Sequence, residues 1–353
     1  MENQQNQNTR HGLSLSKQDW LTLSFIQGVG PARLDRLFVY LQTLEADSED
    51  PHDMDIMAVS GYISYEVLIQ LKWPKETSID AMAFLKQGFI SSDVSKKLSL
   101  TLSWLNESPL HHLIMRNEAD YPFELAQINV APLLLYVQGS LTGLHQPKLA
   151  IVGARKATQY GLDIAFNFAL QLSQQGISLV SGGAIGIDTA AHKGSLEQVG
   201  SSIAVMGTGL LNLYPKTNKG LFDSIIESNG CLISEYPLQT QVQARLFPAR
   251  NRIISGLSLG VIVVEAGFKS GSLISANYAL QHNREVFAVP GRISDKASVA
   301  CLDLIKQGAK LITQVEDVLS EFPQLSKPSS LTPSIPDLNF SNREDVYPDQ
   351  KSP

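Results

Sequence analysis

The run FPARNRIISGLS at 247–258, followed by VIVVEAGFKSGSLISA at 261–276, gathers the residues of this chain best suited to chemistry. Arg250, Asn251 and Arg252 stand just ahead of an apolar strand, and Lys269, Ser270, Gly271 and Ser272 stand just behind it. Read as two loops flanking that strand, they offer cations, an amide, hydroxyls and bare backbone N–H groups, with no carboxylate among them. Phosphate oxygens are what such a set suits. The planar arginine fork donates two hydrogen bonds at once, and glycine lets a ligand approach the backbone closely. The expected ligand is a polyanion or a nucleotide.

Further candidates follow other apolar segments. Gly153 and Ala154 lead to Arg155 and Lys156; Ser181, Gly182 and Gly183 form a second group; Lys216 and Asn218 follow Gly207 and Gly209. Glycines that serve only tight turns would explain any one of these segments, whereas the set on one sheet edge points to an anion site. Asp188 and His192 lie four residues apart on one helical face, a spacing that suits a metal or an acid–base pair. A third ligand at comparable spacing is missing, so the pair is expected to orient its loop, with no metal and no catalytic residue. Glu235 and Glu265 are expected to accept hydrogen bonds from arginine or backbone N–H groups. Tyr214, Phe222 and Phe247 lie near the basic segments and are expected to pack rather than to stack on a ligand.

The elements that must carry these residues are short apolar strands near 149–153, 177–182, 202–207, 231–236, 261–266, 285–291 and 310–313, separated by helical stretches. Near-continuous apolar strands alternating with helices predict a parallel sheet covered on both faces, an α/β Rossmann-like doubly wound fold. Ligands of such sheets sit beyond the carboxyl ends of the strands, where the strand order reverses. Residues 15–105 show apolar spacings of three and four and read as a small all-helical domain. Within it, 26–38 reads either as a helix-hairpin-helix element of the kind found in SAM-like domains or as a plain helix turn. The expected organisation is a flexible leader over 1–14, the helical domain over 15–105, the extended Rossmann-like domain over 106–323 and a disordered Pro/Ser-rich tail over 324–353.

The net charge of −6 argues against nucleic acid only if it is evenly spread. It is not: residues 1–147 are acidic on balance, whereas 148–323 are slightly basic, with the cations concentrated in the Gly-rich segments. No apolar run is long enough to cross a bilayer, the N-terminus has no signal-peptide core, and two cysteines make no disulfide or zinc framework. The cytoplasm is the expected address, and no membrane partner is expected.

The segments VGARKATQYG (152–161), SGGAIGIDTAAHKGSL (181–196), AVMGTGLLNLYPKTNKGL (204–221), ISEYPL (233–238), FPARNRIISGLS, KSGSLISANYAL and REVFAVPG (284–291) resemble the DNA-processing protein A family, DprA, also called Smf. The resemblance covers roughly 110–322, with a looser match to the helical region. It implies a protein without catalytic activity or cofactor that binds single-stranded DNA, protects incoming strands during natural transformation, loads the RecA recombinase and works as a homodimer. By motif position, Arg155, Lys216, Arg250, Asn251, Arg252 and Lys269 to Ser272 would line the DNA groove. The chain departs from the family at Ala300 and Leu302, where a Gly and an Asn are common. It also has too little apolar sequence after 323 for the winged-helix-like domain that many members carry.

Three other function classes fit the residues less well. A nucleotide phosphoribohydrolase would carry a PGGxGT turn followed by a glutamate, where this chain has EAGFKSGSLISA. A metal nuclease would need clustered carboxylates. A protein-interaction scaffold would have no use for cation-lined loops.

Overall fold

A computed structural model describes residues 15–47, 62–198, 201–268 and 270–325. The expected leader over 1–14, the tail beyond 325 and Lys269 lie outside the described residues.

Among the described residues one sheet contains nine strands. They are β1 (His111–Met115), β2 (Leu134–Gly139), β3 (Lys148–Val152), β4 (Ser178–Ser181), β5 (Ser202–Val205), β6 (Cys231–Ser234), β7 (Gly260–Val263), β8 (Glu285–Ala288) and β9 (Lys310–Leu311). Their order is β1-β2-β6-β5-β4-β3-β7-β8-β9. From β6 to β9 all pairs are parallel, and β1-β2 and β2-β6 are antiparallel. The expectation of a mostly parallel, doubly wound sheet holds. β1 and β2 are absent from the sequence-based strand assignment, because a short apolar run such as HHLIM has the same pattern in a strand and in a buried helical turn.

Five helices precede the sheet: α1 (Lys17–Phe25), α2 (Pro31–Asp47), α3 (Tyr65–Gln70), α4 (Lys75–Gln87) and α5 (Ser92–Glu107). Serines start three of them, Ser16, Ser64 and Ser91 each accepting a hydrogen bond from a first-turn N–H. The helices share one apolar core with the antiparallel end of the sheet, where Trp20, Leu37 and Trp104 join Leu134, Tyr136 and Leu232. Arg116 joins the two by pairing with Asp35 at 2.7 Å and lying over the Phe38 ring at 5.7 Å. The 26–38 turn is occupied by this packing: Thr77 donates to the Gln27 carbonyl at 3.1 Å, and the Arg33 guanidinium donates to the Gly28 carbonyl at 2.7 Å.

Within the parallel sheet, α6 (Gln159–Gln174) and α7 (Ile187–Leu196) cover one face with α12 (Val315–Leu319). The opposite face carries α9 (Leu246–Leu257), α10 (Ser272–Gln281) and α11 (Val299–Lys306), while α8 (Lys219–Glu227) packs near β5 and β6. Strand order runs down from β6 to β3 and then jumps to β7, so the reversal lies between β3 and β7. The segments that follow β3 and β7, with Gly153 to Lys156 on one and Ser270 to Ser272 on the other, start at this point.

His192 makes the core sensitive to acid. His192 on α7 is fully buried, with Nδ1 2.7 Å from the Ser202 hydroxyl and Nε2 without a partner. Burial, aided by the nearby Arg250 charge, pushes its pKa down to about 3. The unfolded histidine takes up a proton near pH 6.5 while the folded one stays neutral, so stability falls as pH drops below that value. By pH 5 the loss is expected to reach about 2 kcal/mol. Urea unfolding at pH 7 and pH 5 checks this, because His192→Asn should flatten the difference. An unchanged pH dependence in that variant would refute the assignment.

Candidate functional site

A cavity of about 330 Å³ opens where the strand order reverses. Gly153 to Lys156 after β3 form one wall, and Ser270 to Ser272 ahead of α10 form another. The first turns of α9 supply Phe247, Pro248, Arg250 and Asn251, while Asp188 and Ala184 close the floor beside α7. Three helices, α7, α9 and α10, thus begin at this cavity, and their positive ends favour an anion there.

Residues 246–257 form helix α9, not the expected loop. Helical spacing of Leu246, Ile253, Ile254 and Leu257 buries one face of the segment, and its two arginines go down with it. Arg250 is only 5% exposed. Its Nη1 donates to the Gly182 carbonyl at 2.8 Å and to the Val205 carbonyl, while Nε is buried without a partner. Burial, partly offset by Asp188, pushes Arg250 down to about 10, so it remains a cation at neutral pH. A side chain at Gly182 would meet the guanidinium at 2.6 Å, which is why a residue without Cβ stands there. Asp188 accepts from the N–H groups of Gly182 at 3.1 Å and Ala184 at 3.3 Å, and burial raises its pKa against the pull of Arg250. It orients its loop as expected. Its former candidate partner His192 faces Ser202 instead, and no metal-ligating cluster occurs among the described residues.

Arg252 corrects a second expectation. It is 8% exposed and forms a bidentate pair with Glu235, at 2.7 and 2.5 Å, and also donates to the Val130 carbonyl at 3.2 Å. With its fork occupied by a buried carboxylate, it is unavailable to a ligand and is not part of the cavity lining. Glu235 therefore accepts from arginine as predicted, while removing that arginine from the anion site. Three further predicted residues stand behind the cavity. Ser181 donates to the Ile151 carbonyl at 2.7 Å, Gly183 covers the buried Phe222 ring, and Asn218 donates to the Gly183 carbonyl at 3.0 Å and to Thr189 at 2.8 Å. They brace the β4–α7 loop.

Among the described residues lining the cavity, the free cations are Arg155 and Lys156. Both are exposed, and neither takes part in an ion pair among the described residues. Their loop is held by Glu265, which accepts from the Thr158 N–H at 2.9 Å and hydroxyl at 2.5 Å. Thr158 in turn caps α6 by accepting from Gly161 N–H at 3.1 Å. A Cβ at Gly161 would lie 2.5 Å from the Glu265 carboxyl, so this anchor also depends on a glycine. The Thr-x-x-Gly start of α6 is visible in the sequence as a cap, but its link to Glu265 is not. Across the cavity, Asn251 donates to the Gly271 carbonyl at 3.2 Å, and the Ser270 and Ser272 hydroxyls lie 2.6 Å apart. Lys216 is exposed beyond the cavity rim, beside Tyr214.

Phe222 packs in the core as expected, but the other two aromatics divide. Phe247 lines the cavity, and Tyr214, 41% exposed, meets it edge-on with ring centroids 5.6 Å apart. A flat apolar surface thus stands beside the cations. Together these groups can neutralise phosphate oxygens and offer a π-face to a base.

A family described as DNA recombination-mediator protein A matches residues 112–323. Protein Smf of Escherichia coli is 41% identical over 272 residues, covering 75% of this chain and 72% of that protein. DNA processing protein DprA of Streptococcus pneumoniae is 47% identical over 202 residues, covering 57% of this chain and 71% of that one. The crystal structure of the S. pneumoniae protein is similar with a TM-score of 0.71 at 32% identity, covering 88% of this chain and 99% of that chain. DNA processing protein A from Helicobacter pylori, solved for its single-stranded DNA binding mode, has a TM-score of 0.55 at 29% identity over 61% of this chain and 96% of that chain.

Proposed function

The chain belongs to the DNA recombination-mediator protein A family, and we propose that its switch-point cavity binds single-stranded DNA without sequence preference, as a carrier rather than a catalyst. The observation that carries this reading is the pairing of two unpartnered, exposed cations, Arg155 and Lys156, with the buried Arg250 across one narrow cavity. Phosphates of a flexible strand can reach such a recess, whereas a stiff duplex presents its bases stacked and its backbone on a broad cylinder. Phe247 and Tyr214 supply stacking surface, which every base satisfies. The single-stranded DNA binding of the H. pylori relative supports the same ligand here.

The family's description as a recombination mediator further supports a handover step: the bound strand passes to the RecA recombinase, in a cell that takes up DNA by natural transformation, and the working unit is a homodimer. Among the described residues no helix is long and apolar enough to cross a membrane, which agrees with a cytoplasmic protein.

Fluorescence anisotropy with a mixed-sequence single strand and its duplex, at low and moderate salt, tests the binding. The expected result is preference for the single strand and a steep loss with salt, because each neutralised phosphate releases a counterion. Folded protein that binds neither form would overturn the reading.

A further inference from the structure

A second cavity, of about 470 Å³, lies between α6 and α7, and nothing described so far occupies it. Arg155 and Lys156 line both cavities, so the two recesses meet at this one pair of cations. On its far side the second cavity gains Lys193, on the last turn of α7, which is exposed and in no ion pair among the described residues. Against these three cations stands one carboxylate, Asp163, which accepts from the Gln159 amide at 2.8 Å. Half-buried Phe166 and Leu162 form the cavity's apolar side.

We infer that a bound single strand continues from the first cavity over Arg155 and Lys156 into this second one, with Lys193 holding a backbone phosphate at its far end. The inference rests on the single-strand reading above. Charge supports it: an excess of solvent-facing cations in a concave surface concentrates polyanions and draws the strand along the concavity. The geometry sets its direction, because Arg155 and Lys156 of the first cavity also line the second, which carries a further cation, Lys193, on the α6–α7 side. The combination of one cation per recess end and a shared central pair also explains why Arg155 and Lys156 stay unpaired. They serve phosphates on both sides.

Anisotropy titrations with oligothymidylates of about two and roughly twenty nucleotides test this path. The short probe is small enough to stay in the first cavity, and the long one spans both. Lys193→Ala is expected to weaken the long probe roughly tenfold and to lower its log–log salt slope by about 0.7, leaving the short probe unchanged. Lys193→Arg should restore both values. Lys193 is exposed, so the fold is expected to survive either change, and circular dichroism of the variants confirms that it has. Unchanged affinity and slope for the long probe would overturn the path while leaving the first cavity in place. Equal weakening of both probes would also overturn it, by moving Lys193 to the first cavity's action. Failure of the unsubstituted protein to bind either probe would instead bring down the single-strand reading and this path with it.

Discussion

Arg250→Ala is expected to remove single-strand binding and to destabilise the fold by about 2–4 kcal/mol, through two buried carbonyls left without donors. The guanidinium ties β4 to β5 through the carbonyls of Gly182 and Val205, and its charge opposes the upward push of burial on the Asp188 pKa. Alanine would leave two buried carbonyls without donors and weaken the charge that opposes burial at Asp188. Arg250→Lys should recover part of the stability, since it keeps a charge but loses the fork that reaches two acceptors. Urea midpoints for the three proteins, followed by anisotropy under conditions where each is folded, check both halves of the expectation. A stability loss below about 1 kcal/mol would mean that the buried arginine is not the keystone of this floor. Removing Arg250 and Arg252 together compounds the loss. Arg252→Ala leaves Glu235 buried and unpaired, so the double variant is expected to unfold.

Arg155→Ala with Lys156→Ala should show the opposite profile. Both side chains are exposed and unpaired, so the unfolding midpoint is expected to move by less than about 1 kcal/mol. Binding to a mixed-sequence single strand is expected to fall on the order of a hundredfold, from two lost charge-assisted contacts. The log–log salt slope should drop by about 1.4, the amount for two phosphates of a single strand. Thr158→Ala offers a graded comparison, because it removes the hydroxyl bond to Glu265 while keeping the backbone N–H bond and both cations. A double variant that binds as tightly as the unsubstituted protein, with an unchanged slope, would rule out this cavity as the site.

These contrasting profiles trace what was legible in the sequence. Alternating apolar strands and helical stretches were readable because their periodicity is local, and so the parallel sheet and the position of its ligand edge follow from it. The cation-bearing segments were readable as well, and Arg155, Lys156, Arg250, Asn251, Ser270, Gly271 and Ser272 do meet at one cavity. The helical state of 246–257 was less so, since Phe247-Pro248 and Gly256 read as loop punctuation, although Pro248 lies in the first turn where no N–H is needed.

By itself, then, the sequence determined the parallel part of the sheet, the family and the cation-rich segments proposed to meet an anionic ligand, through patterns that span a few residues each. Only the tertiary structure decided which cations remain free to meet that ligand. Arg252 is taken by Glu235 17 residues away, Arg250 is held by a carbonyl 68 residues away, and the Arg155–Lys156 loop is set by a carboxylate 107 residues from Thr158. A guanidinium has the same charge in the sequence whether it faces solvent or a buried carboxylate. Burial and partner decide which it does, and both are properties of the packed chain.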